Sequence, residues 1–251
     1  MIAVIALLTA ILLPALGRVR RQAKAVVCRS NVRQWAVAFS AYTNDNNYCF
    51  NTGLYGPTAT TSKGWPDALR SYTGGNQDLC YCPMATKLVS EGGQHPFAAF
   101  CNFVFVPGPS WEEEGWDSGS YGMNAWVYNP PSAVTENRFG LPTANNWRRA
   151  NVRGASNIPL LLDSMWIDAW PDTTNEPPPF DGDFEGAWHG SRQIRMFCIN
   201  RHEGTVNGAF VDFSVRKIGL KELWKLKWHR NCDLNAATPE WPVWMKKFKD
   251  Y

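Results

Sequence analysis

Seven cysteines and four histidines are the residues of this chain best suited to metal or nucleophilic chemistry. Cys80 and Cys82 flank Tyr81, while Cys28, Cys49, Cys101, Cys198 and Cys232 are scattered singly. A zinc ribbon or finger read from local sequence needs Cys-x-x-Cys together with a second Cys or His pair at fixed spacing. Neither is present, so no metal ligand and no cofactor is expected. The odd number leaves at least one thiol unpaired within a monomer, and an oxidising compartment would permit disulfides whose connectivity the spacing does not decide. His202 and Asp212, with nine residues between them, could form a catalytic or metal dyad, but no third partner stands at a fixed spacing. His202-Glu203-Gly204 also lacks the second histidine of a zincin helix. No catalytic residue is expected, and the chain reads as non-enzymatic. A strand over 205–212 runs roughly 25 Å or less and keeps the two apart unless the chain bends sharply at Glu203-Gly204. Each is therefore expected to hold a different turn. His202 would bond a neighbouring loop backbone, and Asp212 would cap the turn at Phe213-Ser214.

The elements that must carry these residues begin with a long helix. Residues 1–16 hold no charge, which is marginal for a span of about 20 apolar residues. Arg18, Arg20, Arg21, Lys24, Arg29 and Arg33 follow, with no acid before Asp45. A signal peptide wants its cations before the apolar run; here they come after it, and the helical pattern continues. Cys28, Val32, Trp35, Phe39 and Tyr42 fall at i, i+4, i+7, i+11 and i+14, one stripe of a 3.6-residue helix. The run Asn44-Asp45-Asn46-Asn47 ends it. A basic stretch beside an apolar segment reads as membrane-proximal, and no basic patch with interleaved aromatics is placed to read nucleic acid. The spacing divides the chain into a helix over 1–47 and a globular body over 48–251.

Strands are expected over 99–106, 121–128, 158–165, 195–200, 206–212 and 215–218, rich in Val, Ile, Phe and Tyr and bounded by Gly, Pro or Asn. Segments 107–119 and 170–186 read as long surface loops. Leu220, Leu223, Trp224 and Trp228 predict a short amphipathic helix with Lys221 and Lys225 outside, and Trp241, Trp244 and Phe248 a last apolar turn.

Two segments carry a resemblance. Ala10-Ile11-Leu12-Leu13-Pro14-Ala15-Leu16, the cations, Cys28-Arg29-Ser30-Asn31-Val32-Arg33-Gln34 and Ala41-Tyr42-Thr43-Asn44-Asp45-Asn46 resemble the type II secretion pseudopilin or prepilin family. Cys198-Ile199-Asn200-Arg201-His202, then Asn207, Phe210 and Asp212, resemble the C-terminal signature of its prepilin-type processing-associated subgroup, a His, nine residues, Asp-Gly. Cys82-Pro83, Ser120-Tyr121-Gly122-Met123-Asn124 and the segment 215–230 also look like that subgroup, so the likeness runs nearly the whole chain. It implies an α+β pilin-like fold, a long N-terminal helix packed on a small antiparallel β-sheet with long loops. It also implies a membrane and filament helix carried by Ile2, Ile5, Leu8, Leu12 and the kinking Pro14. Cys28, Val32, Trp35, Phe39 and Tyr42 would pack that helix on the body, and His202, Asn207, Phe210 and Asp212 would be structural.

The implied function is a subunit of a type II secretion or type IV pilus-like filament at the bacterial envelope. The implied partners are other pilin-like subunits and inner-membrane lipid, with the body outside the cytoplasm. Two departures stand out. Judged against Pro14, the family's basic leader and Phe-Thr-Leu-Ile-Glu-like start, with about eight apolar residues, are expected ahead of Met1. The cations after Leu16, taken alone, would instead place the body in the cytoplasm by the positive-inside rule. Phe213 also replaces the signature's glycine, so its turn is either of another geometry or strained. Some pseudopilins bind calcium, for which Asp172, Asp181 and Asp183 are candidates, though the EF-hand pattern is absent. One rival reading is a membrane-anchored carbohydrate-binding surface protein with a polysaccharide partner, motivated by Trp111, Trp116, Trp126, Trp147, Trp166, Trp170 and Trp188. The other rival is a hydrolase, which would require a convergent Cys–His–acid cluster in a pocket.

Overall fold

The computed structural model describes residues 2–53, 64–102, 117–137 and 139–251, the side chains of 2–12 excepted. Helix α1, Ile2–Asp45, is 44 residues long with Pro14 inside it, a rod of roughly 66 Å. Ile2, Ile5, Leu8 and Leu12 lie among the side chains outside the description. Among the described residues no helix is long and apolar enough to cross a membrane. From residue 25 onward α1 is docked: Ala25, Cys28, Val32, Trp35, Ala36 and Phe39 are buried, and Tyr42 is half-buried against Tyr72. The stripe read from the sequence is the buried face. Residues 13–16 and 18–24, by contrast, are exposed, including Leu13, Leu16 and Val19.

The body holds two sheets and is α+β. One has the order β1 (Lys87–Leu88), β2 (Ala98–Asn102), β3 (Asp117–Gly119), parallel and then antiparallel. The other has the order β6-β4-β5-β7-β8, from β4 (Tyr121–Asn124), β5 (Pro159–Asp163), β6 (Asp168–Ala169), β7 (Thr205–Phe210) and β8 (Val215–Gly219). Its β4/β6 pair is parallel, so the sheets are mixed where one antiparallel sheet is expected. Helix α1 packs against β5, β7 and β8. β5 is the middle strand and buried along its whole length, as a strand covered on both faces must be.

Several expected elements differ. The segment 195–200 is not a strand: a 3-10 stretch, Gly190–Met196, gives way to local turn bonds from Phe197 and Cys198 back to the Ile194 carbonyl. A short apolar run is buried whether it is extended or coiled, so its pattern does not distinguish the two. The strand from Tyr121 stops at Asn124, whose side chain accepts the Trp126 N–H and starts a 3-10 turn. The extension of β2 through 103–106 lies outside the described residues. The expected amphipathic helix is a five-residue 3-10 turn, Lys221–Lys225. Its tighter period turns Lys221 inward, where it is buried and pairs with Asp250 at 2.8 Å instead of facing water.

The β7–β8 turn bears out the expectation for Asp212, whose carboxylate accepts the Ser214 N–H at 3.0 Å and the Ser214 hydroxyl at 2.6 Å. Phe213 takes the glycine-like conformation, at φ 64°. The turn keeps its left-handed geometry at the cost of strain.

Candidate functional site

Four segments far apart in sequence meet beneath α1. Cys28 comes from the buried stripe of the helix and Asp163 from the last position of β5. Cys82 follows a 3-10 turn, Gln77–Cys80, that α1 itself holds. Trp35 donates its indole N–H to the Leu79 carbonyl at 2.7 Å, and Asn31 its amide to the Tyr81 carbonyl at 3.0 Å. On the other side, the Cys82 N–H is received by the Ser120 hydroxyl at 2.5 Å. His202 precedes β7 at the reversal anticipated around Glu203-Gly204, both of which have positive φ. The reversal aims His202 at Asp163 and Cys82, not at a loop backbone as the spacing suggested.

The donor atoms of Cys28, Cys82, Asp163 and His202 lie within 4.8 Å of one another, and all four residues are buried. Cys28 donates its thiol to Asp163 Oδ1 at 3.2 Å. His202 Nε2 lies 3.3 Å from Asp163 Oδ2 and 3.4 Å from Cys82 Sγ. The Asn207 N–H donates to Asp163 Oδ2 at 2.7 Å, and the Tyr121 hydroxyl donates to Cys28 Sγ at 3.4 Å. Arg201, its side chain fully buried, sits with Nη1 3.9 Å from Asp163 Oδ1. Its guanidinium donates to the carbonyls of Pro96, Ala98, Ser120 and Ser164. A buried cation so fully bonded needs a nearby anion, and Asp163 supplies it.

Burial works against charge on Asp163, yet His202, Arg201 and the Asn207 N–H hold its carboxyl below the usual range. Burial likewise disfavours a charged imidazole, but Asp163 and then Cys82 raise His202 to about 10. Burial pushes the Cys82 thiol up, while Cys28, His202 and Arg201 bring it down to about 6. Cys28 is held well above the ordinary thiol value, first by burial and then by Cys82 and Asp163. The His202 imidazole and the Arg201 guanidinium thus lie beside the Asp163 carboxyl, and His202 also beside the Cys82 sulfur.

The remaining expected residues serve packing. Val32, Trp35, Phe39 and Phe210 are core side chains. Asn207 is buried on β7, and its side-chain amide has no hydrogen-bond partner among the described residues. The acidic loop does not converge on a cation. Asp172 pairs with His229 at 2.7 Å, Asp183 with Arg195 at 2.6 Å, and Asp181 accepts the Asn200 N–H at 2.9 Å. Of the tryptophans, Trp126, Trp147 and Trp170 are buried and Trp166 and Trp188 half-buried, while Trp111 and Trp116 lie outside the described residues.

Sequence reasoning missed the cluster because its members are separated by long connections. One sign was present: Asp163 is a lone acid ending the apolar run Leu160-Leu161-Leu162, and an acid on a buried strand must find partners. No family model, curated protein or solved structure matches this chain.

Proposed function

We propose that the protein is a pilin-like structural subunit that assembles through its N-terminal helix at the cell envelope. The observation that carries this reading is the division of α1. One continuous helix is buried against the body from residue 25 onward and leaves the preceding described turns uncovered, with Leu13, Leu16 and Val19 facing outward. Residues 2–24 of a helix rise roughly 35 Å. An apolar helix surface that its own body does not cover is stabilised by lipid or by copies of itself, and a rigid joint to the body fixes how the copies are displayed. The cations at Arg18, Arg20, Arg21 and Lys24 then sit at the boundary between the apolar run and the body, where anionic headgroups attract them.

The reading is tested by sedimentation after detergent removal. The parent chain should pellet as assemblies, and Leu16→Glu together with Val19→Glu should remain dispersed with an unchanged body. A parent chain that stays monomeric without detergent would sink it.

A second reading draws on a cleft of ≈ 430 Å³ whose lining includes Phe100, Trp166, Phe180, Phe184 and the acids Asp183 and Glu185. Aromatic faces beside carboxylates suit a carbohydrate ligand. Loss of oligosaccharide binding in Trp166→Ala would support it, and a glycan panel with no binder for the parent chain would dismiss it.

A further inference from the structure

We propose that Cys28, Cys82, Asp163 and His202 form a tetrahedral zinc site that ties α1 to the sheet. This does not rest on the assembly reading and holds whether or not the chain forms filaments.

Geometry comes first. Metal–ligand lengths of roughly 2.0–2.3 Å at tetrahedral angles place neighbouring donor atoms about 3.3–3.8 Å apart. The spacings here are 3.2 Å from Cys28 Sγ to Asp163 Oδ1, 3.3 Å from the other oxygen, Oδ2, to His202 Nε2 and 3.4 Å from His202 Nε2 to Cys82 Sγ. All four donor atoms lie within 4.8 Å of one another, so side-chain adjustments of about 1 Å or less bring them to the edges of one ligand polyhedron. The donor set is two sulfurs, one imidazole nitrogen and one carboxylate oxygen. That mixed set suits a borderline-soft divalent ion; magnesium and calcium favour all-oxygen shells.

Charge and surroundings agree. Two thiolates and one carboxylate around a dication leave one negative charge, and the Arg201 guanidinium 3.9 Å from Asp163 offsets it. Outer bonds that orient the ligands are in place: the Tyr121 hydroxyl on Cys28 Sγ and the Asn207 N–H on the second oxygen of Asp163. All four protein ligands are buried, as in a closed structural site and unlike a catalytic one, which keeps a position open.

Two other uses of the cluster fit less well. A Cys–His–Asp nucleophile relay needs the acid on one ring nitrogen and the sulfur on the other. Here His202 Nε2 faces both Asp163 and Cys82. A Cys28–Cys82 disulfide would use the two sulfurs but would leave the approach of His202 Nε2 to Cys82 Sγ without a role. The consequence of metal binding is mechanical. Cys28 lies on α1, Asp163 on β5, His202 beside β7 and Cys82 on the segment that α1 clamps, so one ion would cross-link the helix, the five-stranded sheet and that segment.

The test uses the full chain, in detergent where the apolar segment requires it, stripped with a chelator under reducing conditions and then titrated with Zn²⁺ or Co²⁺. The expected result is about one equivalent bound per chain, with Co²⁺ giving the thiolate charge-transfer and visible bands of a tetrahedral sulfur-containing site. His202→Gln and Cys82→Ser, checked for folding by tryptophan fluorescence, should bind Zn²⁺ at least about tenfold more weakly; Tyr121→Phe should weaken it by a smaller factor. If the ligand variants do not fold, the parent chain's Co²⁺ spectrum decides alone. A parent spectrum without sulfur ligation would overturn the proposal. So would Zn²⁺ affinity unchanged in His202→Gln, or recovery of Cys28 and Cys82 from cells as a disulfide.

Discussion

Replacing Trp35 by alanine is the sharpest probe of how α1 is joined to the body. The indole is 2% exposed, packs edge-on against Trp65 at 4.9 Å between centroids, and donates its N–H to the Leu79 carbonyl at 2.7 Å. Truncation removes a large buried ring and leaves a cavity, which costs about 3–5 kcal/mol for a tryptophan in a core. The Leu79 carbonyl loses its donor within the same substitution, which places the expected value in the upper half of that range. For a chain of this size, about 4 kcal/mol corresponds to a fall in Tm of roughly 8–16 °C. Trp35→Phe keeps a six-membered ring while losing the N–H and the smaller ring, so it should cost less than Trp35→Ala. It should cost about 1–2 kcal/mol. Chemical denaturation followed by far-UV circular dichroism gives both values, and a double-mutant cycle with Trp65→Ala should show coupling of about 0.5–1.5 kcal/mol. The reasoning fails if Trp35→Ala costs less than about 1 kcal/mol, because a fully docked indole leaves no cheap way to collapse the space.

Other outcomes follow from individual contacts. Asp172 is held down to about 2, burial opposing and the His229 hydrogen bond and the Thr174 N–H and hydroxyl prevailing. Its folded value lies below the unfolded one, so its stabilisation is present above about pH 4 and is lost as pH falls toward 2. At this partly exposed site solvent screening leaves about 1 kcal/mol, and Asp172→Asn should flatten the acid limb of a Tm-against-pH curve by that amount. Gly204 has φ 84° and its added Cβ would lie 2.7 Å from the Phe248 ring, so Gly204→Ala should destabilise by about 1–2 kcal/mol in a thermal melt. An unchanged melting curve would mean the reversal that aims His202 is tolerant. Asp212→Ala removes both bonds to Ser214 and should cost about 1 kcal/mol, adding to His202→Ala without coupling because the two residues belong to different networks. A double-mutant cycle giving more than about 1 kcal/mol of coupling would contradict that separation.

What could be read from the sequence was periodic or local. The stripe from Cys28 to Phe39 repeats on one face of a helix, so its burial followed from spacing alone. Asp212 needed only its two following residues to be recognised as a cap. The cluster was hidden for the opposite reason: even its nearest members in sequence, Asp163 and His202, are 39 residues apart, so no local motif contains two of the four. Lys221 was misplaced because an α-helical period was assumed where the chain makes a 3-10 turn. The strand expected over 195–200 failed because its apolar residues are buried by packing, not by a ladder. Phe213 shows the converse: the turn takes a conformation that suits glycine although the residue there is phenylalanine.

The most direct test of the assembly reading places a photo-crosslinking residue at Val19, on the uncovered part of α1, and a second at Val243, exposed on the body. Irradiation of cells making the full chain should give a ladder of covalent multimers of this protein from position 19 and monomer from position 243. Monomer alone from position 19 would contradict the account.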